Sequence, residues 1–141
     1  MLNDSLKMVG HLAIALNGEV VREIDNLVVT VGKNFVASRI KDATVSAMTH
    51  MAIGTGTTAA AAGQTILVSE ADRNTLTSTT VANNVVTYVA SYAAGEGTGA
   101  ITEAALLNAS SGGVMLARTV FSVVSKGASD SMTITWSVTV S

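Results

Sequence analysis

Residues 132–140 read MTITWSVTV, and this stretch decides the fold. Met132, Ile134, Trp136, Val138 and Val140 fall on one side, while Thr133, Thr135, Ser137 and Thr139 fall on the other. Successive side chains of a β-strand point to opposite faces, so this period of two predicts a strand with one face packed and one wet. Working backward, Ser125 to Asp130 turns the chain into that strand, and Asn108 to Gly113 turns it into an earlier one, Val114 to Val124. Ile101 to Leu107 reads as a strand covered on both faces. Leu76 to Val81 and Val85 to Tyr92 read as two more, joined at Ala82-Asn83-Asn84, residues suited to a hairpin turn.

The N-terminal segment alternates too, with Leu6, Met8, Leu12, Ile14 and Leu16 on one face. Asn17-Gly18 follows, a strong hairpin signal because both residues tolerate positive φ. The return strand is Val20 to Ile24, with an extension through Leu27 to Val31. A two-residue loop sets Leu12 against Glu23 and Leu16 against Glu19. A three-residue loop with Gly18 in a bulge sets Leu12 against Ile24 and Leu16 against Val20, which buries better and is favoured. Between Gly32 and Asp42 the period changes: Phe35 with Arg39 and Val36 with Ile40 predict one short helix near residues 34–42. Met51 to Ile53 is a short strand, Ala59 to Gln64 a small-residue loop, and Ile66 to Arg73 a turn or short helix.

Short strands with turn punctuation and no βαβ rhythm predict an all-β chain, sandwich or barrel-like. The preferred reading is one antiparallel β-sandwich domain over residues 1–141, jelly-roll- or immunoglobulin-like, with the 1–24 hairpin serving as an assembly arm. A chain of 141 residues can bury a real core without disulfides or metal. With 13% charged residues, the wet positions must be carried by Thr, Ser, Asn and Gly. So few charges suggest that part of the surface is covered by other subunits. A net charge of −2 with scattered lysines and arginines gives no reason to expect nucleic acid. No apolar run reaches the roughly 20 residues that span a bilayer. Met1 to Leu16 carries Asp4 and Lys7 and alternates, unlike a signal peptide, so synthesis in a cytoplasm and assembly there are expected.

Chemistry is sparse. Zero cysteines exclude thiol nucleophiles and zinc ribbons, and His11 and His50 are too few for a histidine metal site. Gly54-Thr55-Gly56 and Gly95 to Gly99 lack the spacing of a dinucleotide fingerprint or a P-loop, and read as turns and bulges. Glu70 with Asp72, or Glu96 with Glu103, is too thin a set for calcium. No serine sits in a G-x-S-x-G elbow. No catalytic residue, cofactor or metal is therefore expected. Trp136 is read as a core anchor. Arg118 lies inside a strand between Leu116 and Val120 and requires a carboxylate; Glu103 of the same chain and a partner across a subunit boundary are both open.

From Met51 onward the chain carries the runs MAIGTGTTAAAAGQT, LVSEADR, LTSTTVANNVVTYVASY, GEGTGAITEAALLNASSGG and MLARTVFSVV, closing on DSMTITWSVTV. With NLVVTVGKNFVASRIKD before them, these blocks resemble a family of small virion structural proteins of tailed bacteriophages, over about residues 25–141. The resemblance implies a β-rich, non-enzymatic module present in many copies on a phage particle. A chain of this size looks most like a capsid decoration (cement) protein on the exterior of the head, made in the bacterial host. Its implied partners are the major capsid protein and copies of itself in a homotrimer at local three-fold positions. The alternative is a tail-fibre, collar or baseplate component with tail proteins as partners. Related modules occur there as well. The alternating strand suggests Leu6, Met8, Leu12, Ile14 and Leu16 as an interface that pairs edge-on with a neighbour. Arg118 joins them if its partner is on another subunit.

Overall fold

The alternating segments fold as strands that pair antiparallel throughout. The computed structural model describes residues 5–41 and 45–141. In chain order the elements are β1 (Met8–Leu16), β2 (Glu19–Asp25), β3 (Leu27–Val28), α1 (Thr30–Lys41), β4 (His50–Gly54) and β5 (Glu70–Thr75). They continue with β6 (Ser78–Ala82), β7 (Val85–Tyr92), β8 (Gly99–Leu107), β9 (Met115–Lys126) and β10 (Met132–Val140). Two five-stranded sheets result, ordered β2-β1-β10-β7-β6 and β3-β9-β8-β4-β5. This is the all-β sandwich that the alternation predicted. Leu12, Ile14, Ile134 and Trp136 of the first sheet meet Ile53, Leu106 and Phe121 of the second in one buried cluster.

β1 and β10 form the spine of the first sheet, paired from Met8↔Val140 to Leu16↔Met132. The hairpin of residues 1–24, for its described part, is thus integral to the sandwich. Its register combines both sequence alternatives. Asn17 (φ 52°) and Gly18 (φ 83°) make a two-residue turn, so Leu16 faces Glu19. A bulge then lets Ile14 face Arg22 and Leu12 face Ile24, restoring apolar pairing toward the core. The bulge falls in β2, not at Gly18.

The return strand does not run straight on to Val31. The chain leaves the first sheet at Asn26, whose side-chain Oδ1 accepts a 2.8 Å hydrogen bond from Trp136 Nε1. Leu27 and Val28 then pair with Arg118 and Ala117 of the second sheet. Gly10 makes this crossing possible: a Cβ there would fall 1.5 Å from the Asn26 Oδ1. The helix begins at Thr30, earlier than predicted, and the predicted last residue, 42, lies outside the described residues. Gly32 disfavours a helix by propensity, yet its bare Cα lies where a Cβ would be 2.1 Å from the Leu116 carbonyl oxygen. Close packing on β9 overrides propensity there. Phe35 and Val36 of α1 pack against the core.

Residues 66–73, read as a turn or short helix, instead lead into β5, which pairs with β4 from His50↔Thr75 to Gly54↔Glu70. The sequence EADRNT has weak strand propensity, so tertiary pairing decides its state. β8 is buried on both faces from Ile101 to Leu107, as predicted.

Candidate functional site

The two outer faces of the sandwich differ in kind. The second sheet's outer face is covered by the long connection from residue 55 to 69 and by the segment entering α1. Leu67 and Val29 bury Ala52, Ala105, Leu107 and Met115 there in a second apolar cluster. Glu103, at the centre of β8, holds that cover in place. Its Oε2 accepts hydrogen bonds from the Gly56 N–H at 2.5 Å and the Ser69 N–H at 3.0 Å. Its Oε1 accepts from the Val68 N–H at 2.8 Å and from Arg118 Nε and Nη2 at 3.3 Å each. Both side chains of the pair are fully buried.

Arg118 Nη1 also donates to Gln64 Oε1 at 2.9 Å, and Thr102 Oγ1 to the Gly56 carbonyl at 2.7 Å. With five N–H donors, the buried Glu103 side chain is fully hydrogen-bonded. Gly56 is required for it, because a Cβ would lie 1.9 Å from Oε2. The Gly-Thr-Gly motif is thus the receiving end of a structural latch. Glu103 of the same chain is Arg118's partner, so Arg118 belongs to the fold and not to a subunit boundary.

The remaining interface candidates separate in the same way. Leu12 and Ile14 have no exposed surface and lie in the core. Met8 and Leu16 are partly buried and packed against it. Only Leu6 is broadly open, at 72% exposure. β1 cannot pair edge-on with a neighbour, because β2 and β10 occupy both its sides. Strand order is a long-range property, and alternation alone does not reveal which strand ends a sheet.

The first sheet's outer face, by contrast, carries no covering segment among the described residues. Its rows run across strands: Ala13 beside Thr135, Val89 and Ser78, and His11 beside Ser137, Thr87 and Thr80. Small hydroxyl and aliphatic side chains occupy its centre. Ionisable groups stand at one margin, where His11 Nδ1 lies 3.1 Å from Asp25 and Nε2 lies 3.4 Å from Glu23. The Asp25 hydrogen bond, opposed by desolvation and reinforced by Glu23, raises the His11 pKa above its ordinary value of 6.5.

Two buried polar side chains escaped the sequence reading and prove structural. Lys126, 1% exposed, donates to the carbonyls of Ala93 at 2.9 Å and Asp130 at 2.7 Å, tying two loops together. The Tyr92 hydroxyl donates to the Met51 carbonyl at 2.5 Å across the core, and burial pushes its pKa up. Among the described residues no group of three or more histidines and carboxylates converges as metal ligands. No helix there is long and apolar enough to cross a membrane. No protein-family model, curated protein or solved structure matches this chain.

Proposed function

We propose that this chain is a bacteriophage virion structural protein that decorates the capsid, binding the outside of the head in many copies and stabilising it. The observation that carries this reading is the asymmetry of the sandwich. One sheet is sealed by its own 55–69 connection, and the other presents a broad face of Thr, Ser, Ala and Val. Seating such a face on another protein desolvates few charges and immobilises few long side chains, so modest contacts yield net binding. Repetition over a shell, as trimers at local three-fold positions, multiplies those contacts by avidity. The sequence blocks from residue 25 onward point to the same class of particle.

Purified protein added to heads from a phage lacking it tests the reading. Wild type is expected to bind heads to saturation and protect them against heat. Thr135→Lys places an ammonium at an exposed position on this face and is expected to abolish binding while leaving the melting temperature unchanged. Thr135→Lys binding as well as wild type would remove this face as the contact. Wild type binding tails in place of heads would move the protein to the tail.

A further inference from the structure

The sandwich has four sheet edges, and three are guarded. β5 carries Glu70, Asp72 and Arg73; β2 carries Glu19, Arg22, Glu23 and Asp25 together with a bulge; β3 is two residues long. Charges, bulges and shortness are the devices by which proteins keep edge strands from pairing with other chains. β6 has none of them. Ser78-Thr79-Thr80-Val81-Ala82 contains no charge and no proline, pairs regularly with β7, and is exposed at all five positions.

Directly beside this edge lies a mainly apolar groove of about 480 Å³ between β6 and α1, lined by Phe35, Val36, Ile40, Val81 and Tyr88, with Arg39 as its one charged side chain. Val81 and Ile40, at 70% and 77% exposure, are the most exposed bulky aliphatics there. An unguarded edge beside an apolar groove offers the two components of strand addition: main-chain hydrogen bonds for affinity and a groove for alternate side chains.

We infer that β6 is a self-pairing edge, joining two copies of this chain through antiparallel β6–β6 contact into one ten-stranded sheet. β6 is self-complementary. Antiparallel pairing centred on Thr80 sets Ser78 against Ala82 and Thr79 against Val81, with all five residues matched and no charge on either strand. Thr79 and Val81 face the groove, so Val81 of each copy arrives beside Thr79 of the other, on the groove side. The contact is isologous, with the same strand used twice about a two-fold axis, and it closes without leaving a free edge at β6. It stands independently of the virion reading, since it follows from edge chemistry alone.

Thr80 faces its own symmetry mate, which makes a charge swap decisive. Thr80→Lys sets two ammonium groups directly opposite one another, a destabilising arrangement across paired strands. Thr80→Glu does the same with carboxylates. By sedimentation equilibrium, wild type is expected to show twice the particle mass of either variant, and an equimolar mixture of the two variants is expected to regain it. Equal masses for wild type and Thr80→Lys would overturn the inference, and so would a mixture that stays at the smaller mass. Regain in the mixture also excludes misfolding as the cause of the loss.

Discussion

Replacing Arg118 with methionine removes the guanidinium and leaves the Glu103 carboxylate buried with three backbone donors, Gly56, Val68 and Ser69. Breaking one partner of a buried ion pair costs about 3–5 kcal/mol, because an uncompensated charge stays behind. The three remaining N–H bonds keep stabilising the carboxylate, so the loss belongs at the lower end, about 3 kcal/mol. For a chain of this size that corresponds to a fall in Tm of roughly 6–12 °C. Glu103→Leu costs more, about 5 kcal/mol, since it strands both the guanidinium and the three N–H groups. The double variant is expected to lose less than the sum of the two, by roughly 1–3 kcal/mol, because neither leaves the other's charge alone. Urea unfolding of the four proteins supplies the energies. Amide exchange supplies the location: protection at Gly56, Val68 and Ser69 should fall selectively in Glu103→Leu. An Arg118→Met protein with unchanged stability would refute the latch.

Two further outcomes follow from local geometry. Gly32→Ala improves helix propensity by about 1 kcal/mol, yet its Cβ meets the Leu116 carbonyl; a net loss of about 1–3 kcal/mol in thermal melts is expected, and a gain would refute the close approach. His11 is held above its ordinary pKa in the fold, so its pairing with Asp25 and Glu23 contributes fully below about pH 6.5 and is lost as pH rises through the raised folded value. Asp25→Asn should lower the His11 pKa in an NMR titration, and an unmoved pKa would contradict the pairing.

What the sequence revealed depended on how local the determinant was. Residues 132–140 read correctly as a strand because a period of two is written in nine consecutive side chains. The Asn17-Gly18 turn was legible from residues that accept positive φ, but the bulge downstream was not, because it reconciles that turn with core pairing. Glu103 was legible as one of two candidate partners for Arg118, since it is the only charge on an apolar strand, but the choice between it and another subunit was not. Glu103's three backbone donors were not, for they arrive on a connection whose path no periodicity marks. The crossing at Asn26 was equally hidden, resting on Trp136 more than a hundred residues away and on the missing side chain of Gly10. The edge expected at β1 failed for the same reason: β10, the last strand, closes on it.

Copy number per virion, counted by quantitative mass spectrometry against the major capsid protein, tests the proposed role most directly. Decoration of an icosahedral head predicts on the order of hundreds of copies, following its many equivalent sites. A count of about a dozen or fewer, matching the low-order rings of a tail, would contradict it.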